Sequence, residues 1–270
     1  MEIKYRNYYL GNPPRPTKLK IPGWSGDSKD HSDGSVAQPW HCLPFVEGST
    51  YGYEYLYPFK TKCHVYRNDI GELVFDGIDQ DGRIGDFSQE TWTMAEDGSP
   101  IGPNKPKKVT APMMSFAKDH YGMTSLIDLQ PPEGYVIRTE PHPRFYTDTT
   151  GTCPIMVVGH IQRWWSHVFF VVFKAPKKGE VHVFEPNEPC GQFLFVPSSM
   201  QCEFVPMTDE ERQEREKLQA ELQSPEIAKN LWKSDRGYSF NDKYKVISSA
   251  CSKHGEAEGL KKCVEDSKKQ

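Results

Sequence analysis

Histidine is the residue type in this chain with the widest chemistry, because neutral imidazole binds transition metals and transfers protons near neutral pH. Six of the nine histidines stand in or beside predicted β-strands, and they are His41, His64, His142, His160, His167 and His182. Positions two apart share one face of a strand, yet neither a histidine nor an acid stands two residues after His160. Any metal ligands must therefore come from separate strands.

Two interpretations of these histidines remain. In the first, a transition metal such as iron or zinc is bound, because imidazole suits both ions; the candidate ligands are His41, His64, His142 and His160. In the second, the histidines are structural and pack against aromatic rings. The chain has no Cys-x-x-Cys pair, so a zinc knuckle of that type is excluded.

Two arginines flank His142 and could anchor an anion. Arg138 and Arg144 carry guanidinium groups, which hold carboxylate or phosphate through paired hydrogen bonds. The alternative is a pair of structural salt bridges in a proline-rich corner. Because buried arginines without acidic partners are costly, we expect Glu140 or Asp148 to lie against them when no ligand is bound.

These residues define the predicted site and its ligand. The candidate catalytic residues are His142, His160 and Gln162, and the candidate ligand-binding residues are Arg138, Arg144, Tyr146 and Trp164. Positive charge beside aromatic rings favours a small anionic ligand with a planar ring. Trp164 and Trp165 are adjacent in a predicted strand, so they should face opposite sides. One of them is then exposed, lines a pocket or lies at a subunit interface.

The sequence gives little support for calcium binding, thiol catalysis or a glycine-rich nucleotide-binding loop. The acidic segment Asp76–Asp86 resembles a calcium loop, but Gly77 and Ser88 stand at its first and twelfth positions, so a glycine-rich turn is the better prediction. Cys42 and His41 are neighbours that would point to opposite faces of a strand, which disfavours thiol catalysis. The glycine-rich loops that bind nucleotides are also missing.

Composition narrows the class and compartment. The chain has 270 residues with 33 basic and 37 acidic side chains, which gives a net charge of -4 and argues against a nucleic-acid partner. The N-terminus lacks the apolar stretch of a secretory signal. The longest apolar run, Val168–Phe173, is too short to cross a bilayer, so no membrane partner is expected. We therefore expect a soluble, cytoplasmic protein.

The elements that must position the site are mostly strands. We predict an extended arm over residues 1–36, a β-rich core over 37–207 and a helical C-terminal appendage over 208–270. Alternation predicts a strand at Tyr51–Tyr57, and residues 77–108 should form a long loop. Thr208 and Glu211 form a capping box that begins a helix, whereas the charged tail after Gly255 is expected to fray.

One run of segments resembles the β-clip core of trimeric dUTPases and dCTP deaminases. It comprises a Pro-rich strand at 131–140, a Gly-x-Ile turn at 159–162, a core strand at 168–173 and a second turn at 188–192. The layout is also similar to a group of uncharacterised bacterial and phage proteins that begin with a Cys-x-Pro-Phe segment, here Cys42–Phe45. The resemblance covers residues 40–205 and implies a β-clip fold, with strands that pack between subunits of a homo-oligomer.

The departures from this family concern its chemistry. The hydrolases activate a water with an aspartate in the Gly-x-Ile turn, where this chain has Gln162, and an amide cannot accept the proton. Their phosphate-binding segment is replaced by Glu140–Arg144, in which two prolines remove backbone N–H donors. The resemblance therefore implies the scaffold without dUTP pyrophosphatase activity.

Two functions remain open. One is a small-molecule enzyme of unknown reaction, metal-assisted and acting on an anionic substrate. The other is a non-catalytic, oligomeric binding or assembly protein on the same scaffold. Gln162 favours the second, and the density of His, Cys, Trp and Arg in residues 135–167 favours the first.

Overall fold

The computed structural model describes residues 1–7, 14–17, 43–59, 61–78, 81–88, 112–146, 148, 150–165, 169–233 and 239–269. The chain divides into two compact units. The first comprises Met1–Ser25 and Gly48–Met200, and the second comprises Gly26–Glu47 and Gln201–Gln270. Most of the predicted arm, including residues 18–36, lies outside the described residues.

The protein is mainly β, as predicted, with helices towards the C-terminus. The strands of the first unit are β1 (Lys4–Asn7), β2 (Arg15–Pro16), β3 (Tyr53–Leu56), β4 (Lys62–Arg67), β5 (Leu73–Ile78), β6 (Ile84–Asp86), β7 (Met113–Ala117), β8 (His120–Thr124), β9 (Ile127–Gln130), β10 (Tyr135–Glu140), β11 (Gly159–Gln162), β12 (Phe170–Lys174), β13 (Val181–Phe184) and β14 (Pro189–Pro197). The second unit adds β15 (Leu231–Lys233) and β16 (Ser239–Asn241). The helices are α1 (Leu43–Ser49), α2 (Asp209–Leu222), α3 (Lys243–His254) and α4 (Glu256–Ser267), with 3₁₀ turns at Pro143–Tyr146 and Pro225–Ile227.

The strands of the first unit pair in antiparallel sheets. The sheet that carries the candidate site has the order β11-β10-β14-β3-β2. A four-stranded sheet has the order β13-β4-β5-β6, and a three-stranded sheet has the order β12-β8-β7. Strand β1 pairs with β9. None of the helices in the described part of the chain has the length and apolar character of a membrane span.

The two faces of the five-stranded sheet differ in polarity because side chains alternate along each strand. Phe193 of β14 lies opposite Tyr53 of β3, and its ring centroid is 5.0 Å from that of Tyr55. This face packs into the core, where Ile137 of β10 is also buried. The neighbouring position on β14 is polar, since Gln192 lies opposite Glu54. The second face of the sheet therefore carries polar side chains, among them Glu54 and Gln192, beside apolar ones such as Val136 and Leu194, and we call it the polar face.

Aromatic rings form the core of the first unit. Tyr121 stacks on Phe173 at 5.4 Å between centroids, and Phe184 meets Phe173 edge to face at 5.2 Å. Such pairs add to the free energy gained by burying their large apolar area. His182 lies within this core, where its Nδ1 is 2.8 Å from the hydroxyl of Tyr121. This histidine therefore has the structural role that the second interpretation gave it.

The predicted strands are largely confirmed, with shifted ends. The segment at 159–162, expected as a turn, is strand β11. Trp164 and Trp165 lie in the turn after β11 rather than in a strand, and both are exposed. The reason is that β11 stops at Gln162, whose carbonyl accepts a hydrogen bond from the N–H of Trp165. Strands β7 and β8 were not predicted.

The second unit corrects one prediction and confirms another. Helix α2 begins with the expected capping box, in which Thr208 and Glu211 exchange hydrogen bonds. The tail after Gly255 was expected to fray, but it forms helix α4. The reason lies in a buried stripe of Cys263, Val264 and Gly259, since a Cβ at Gly259 would lie 2.6 Å from the backbone of Cys251 in α3. This close approach lets the two helices pack.

The buried His182 predicts a pH-dependent stability. Burial lowers the pKa of His182 to about 4, so the unfolded chain binds this proton first as the pH falls. The free energy of unfolding should fall between about pH 6.5 and pH 4, with up to ~3 kcal/mol from this residue. Urea unfolding should show that His182→Gln loses less unfolding free energy over this pH range than the wild type does.

The matched control is His160→Gln, because the side chain of His160 is exposed on β11. The control should keep the pH slope of the wild type. If the unfolding free energy of His182→Gln fell with pH as steeply as that of the wild type, His182 would not be the source of this pH dependence.

Candidate functional site

The polar face of the five-stranded sheet carries a buried acid. Glu54 of β3 is 1% exposed and lies opposite Gln192 of β14, which is also buried. A buried carboxylate must either take up a proton or find a positive partner, because burial without either is very costly. Its neighbours therefore determine the chemistry of this face.

Arg15 is the positive partner of Glu54. The two residues are register partners of β2 and β3, and Arg15 Nε forms an ion pair with Glu54 Oε1. The arginine is half-exposed, so its charge remains partly hydrated while it neutralises the acid. The other carboxylate oxygen, Oε2, faces His142 Nε2 at 3.5 Å.

His142 is held in one protonation state by its surroundings. It follows β10 and lies between Pro141 and Pro143, and its side chain is buried. Its Nδ1 accepts a hydrogen bond from the backbone N–H of Arg144 at 3.2 Å, so the ring proton belongs on Nε2, which faces Glu54. The Nδ1 lone pair is therefore used by the Arg144 N–H and Nε2 carries the ring proton, so no lone pair is left to accept a proton from a substrate.

The pKa shifts agree with this arrangement. Burial raises the pKa of Glu54, but its contacts with His142 and Arg15 outweigh that effect, so the pKa lies below its usual value. Burial lowers the pKa of His142 more than Glu54 raises it. The acid is ionised and the imidazole is neutral near pH 7. The charge of the pair is thus -1, which Arg15 balances.

Thr17, two residues after Arg15, makes a second set of contacts with the sheet. The hydroxyl of Thr17 donates to Gln192 Oε1 at 3.1 Å, and the Thr17 N–H donates to the carbonyl of Gly52 at 3.0 Å. A Cβ at Gly52 would lie 2.6 Å from Gln192 Oε1. Glycine is therefore required there for the amide to reach Thr17.

Strands β10 and β11 carry Arg138 of the predicted anion-binding set and His160 of the predicted catalytic set. Arg138 of β10 lies directly opposite His160 of β11, and partners in register share a face of the sheet. Arg138 Nε donates to Glu140 Oε1 at 2.6 Å, as expected in the absence of a ligand. Gln162 lies two residues after His160 on the edge strand, and both side chains are exposed.

Arg144 lies in a different environment from Arg138. It forms an ion pair with Glu188 at 2.8 Å and a hydrogen bond with Cys153, and 15% of its side chain is exposed. Glu188 therefore takes the position expected for Glu140 or Asp148. The Asp148 carboxylate instead accepts hydrogen bonds from Thr150 and from the backbone N–H of Cys153. Arg144 thus ties its loop to the residue before β14.

The structure brings together only part of the predicted set. Arg138 and His160 are paired in the five-stranded sheet. His64 lies in the four-stranded sheet, opposite Asp76 and Val183. His41, His167 and the side chain of Tyr146 lie outside the described residues. Within the described ranges, no group of three or more His, Cys, Asp or Glu residues could hold a metal ion.

Sequence reasoning missed the buried part of the site, namely Arg15, Thr17, Glu54 and Gln192. The alternation at Tyr51–Tyr57 contained a signal, because Glu54 is the acidic residue on the face opposite the tyrosines. Its partner Arg15 lies 39 residues away in a segment without periodicity. No local pattern could have paired them.

Comparisons with solved structures find phage dUTPases. The Staphylococcus bacteriophage 80alpha dUTPase matches 77% of this chain and 96% of its own length, with 8% identity and a TM-score of 0.35. The dUTPase from phage phi11 of S. aureus matches 34% of this chain and 74% of its own, with 12% identity and a TM-score of 0.25. Scores at this level say nothing about the activity of this chain. No family model and no curated protein matches the sequence.

Removing Arg15 should destabilise the protein more than removing a surface arginine. Arg15→Ala leaves the Glu54 carboxylate buried without its counter-charge, which should cost about 2–4 kcal/mol of unfolding free energy at pH 7. The cost should shrink near pH 4, because Glu54 can then take up a proton. Chemical denaturation at both pH values measures the effect.

Arg212→Ala is the matched control, because Arg212 pairs with Asp209 on an exposed helix surface. This variant should lose at most about 0.5 kcal/mol of unfolding free energy at either pH. Equal losses in both variants would contradict the described role of Arg15.

Proposed function

We propose that the protein binds a small anionic ligand with a planar ring at the β11 end of the polar face. The single observation that carries this proposal is the pairing of Arg138, whose side chain is partly exposed, with the exposed His160. Arg138 would exchange its contact with Glu140 for the anion, through paired N–H groups. Trp164 is 72% exposed in the following turn and offers its ring for stacking.

Of the two classes that the sequence leaves open, the geometry favours a binding protein. His142 offers no lone pair to a substrate, because its Nδ1 accepts the N–H of Arg144 and its Nε2 carries the ring proton, and Gln162 carries an amide, which transfers no proton at neutral pH. Of the three predicted catalytic residues, His160 is then the one that can accept a proton, and it has no acid two positions away on its own strand. A protein that only binds its ligand does not need a residue that accepts a proton.

A small-molecule enzyme is the second candidate, and Glu54 is the observation in its favour. Its carboxylate is buried and ionised, and Oε2 has no hydrogen-bond partner among the described residues. Such an oxygen can act as a general base if a substrate reaches it. For this enzyme we propose an anionic substrate and a bound transition metal.

We also propose that the protein forms a homo-oligomer. Strand β11 is the edge of its sheet, and an edge strand presents unpaired backbone groups that favour pairing with another chain. Exposed apolar side chains lie next to it, namely Ile155, Val158, Trp164 and Trp165. Tryptophan is enriched at the energetically important positions of interfaces.

The ligand proposal is tested with uridine 5′-monophosphate as a probe that combines a ring with an anion. Its binding should quench tryptophan fluorescence, and Arg138→Ala should weaken the affinity about 10- to 100-fold, the range for a hydrogen bond to a charged group. Arg212→Ala should bind as the wild type does, because Arg212 is not among the residues proposed to hold the ligand and pairs with Asp209.

Two partial probes complete the test. Uridine lacks the anion and inorganic phosphate lacks the ring, so each should bind more weakly than the nucleotide. Unchanged affinity in Arg138→Ala, or equal binding of uridine and the nucleotide, would contradict a site based on Arg138.

A further inference from the structure

The strand that supplies Arg15 has two residues, and one of them is a proline. Strand β2 comprises Arg15–Pro16, and Pro14 precedes it. Proline has no N–H, so neither Pro14 nor Pro16 can donate a backbone hydrogen bond to β3. Among the described residues, the segment is held by the contacts of Arg15 with Glu54 and of Thr17 with Gln192 and Gly52.

Arg15 is an incomplete partner for the carboxylate it neutralises. Its Nε contacts Oε1, whereas Oε2 of Glu54 and Nε2 of His142 are buried atoms without a hydrogen-bond partner in the described structure. A guanidinium group can contact both oxygens of a carboxylate through two parallel N–H groups, which is the stronger arrangement. The acid is thus set up for a better-aligned guanidinium than Arg15 provides.

We propose that Glu54, His142 and Gln192 form a binding site for the arginine side chain of an extended peptide, and that Arg15 fills this site when the peptide is absent. The peptide would take the place of β2 beside β3, where the carbonyl of Gly52 already accepts a backbone N–H. Addition of a strand to a sheet edge is a common mode of peptide recognition. This site shares no residue with the anion-binding set of the proposed function, although Glu140, the partner of Arg138, lies opposite Gln192 in register.

The charges of the site select this ligand class. The carboxylate is buried, and the neighbouring imidazole and amide are neutral, so the site accommodates one positive charge. Two cations at once would repel each other there, so the peptide and Arg15 must compete. Because a tethered segment acts at a high effective concentration, removal of Arg15 should strengthen binding in trans.

The test uses the capped peptide Pro-Pro-Arg-Pro-Thr, which copies residues 13–17, with a citrulline version as the uncharged control. Isothermal titration calorimetry should show Arg15→Ala binding the arginine peptide at least tenfold more tightly than the wild type does. The citrulline peptide should bind neither protein. Adding Glu54→Gln to Arg15→Ala should abolish binding, since the carboxylate supplies the charge.

Equal affinity of the wild type and Arg15→Ala, or no binding by a folded Arg15→Ala, would overturn the proposal. If Arg15→Ala is too unstable for titration, methylguanidinium replaces the peptide and thermal unfolding replaces calorimetry. A ligand that binds the folded state raises Tm with concentration. Tm should rise in Arg15→Ala but not in the double variant, and no rise in the single variant would overturn the proposal. The Arg138 test uses other residues, so the two proposals fail independently.

Discussion

The burial of one ionised carboxylate is the constraint on which the polar face depends. Glu54 lies on β3, next to the edge strand β2, and is buried from water, so its charge needs partners within the fold. Arg15 supplies the opposite charge, and His142 supplies the neutral ring that faces the second oxygen. The positions of β2 and of the loop after β10 both follow from these contacts.

The same strands carry the core and the site on opposite faces. Phe193 packs on Tyr55 on one side of β14, while Gln192 meets Thr17 on the other. A change of register by one residue would move every polar side chain into the aromatic core. The hydrophobic core therefore fixes the geometry of the polar face, although none of its aromatic residues contributes chemistry.

The sequence predicted what depends on local pattern. Alternation located β3, the capping box at Thr208 located helix α2, and the spacing of Arg138 and Glu140 predicted their pairing. It failed where distant segments meet. The contact between Arg15 and Glu54 joins an irregular segment to a strand, and α4 depends on the close approach of Gly259 to α3. The turn that exposes Trp164 likewise depends on where β11 stops.

The central claim is that Glu54 is ionised because Arg15 and His142 stabilise its buried charge. An NMR titration of the protein with ¹³C-labelled glutamate side chains measures this directly. The pKa of Glu54 should lie below its ordinary value of about 4.5 and should rise in Arg15→Ala. A wild-type pKa above that value would mean that burial outweighs both partners, and the account of the polar face would be wrong.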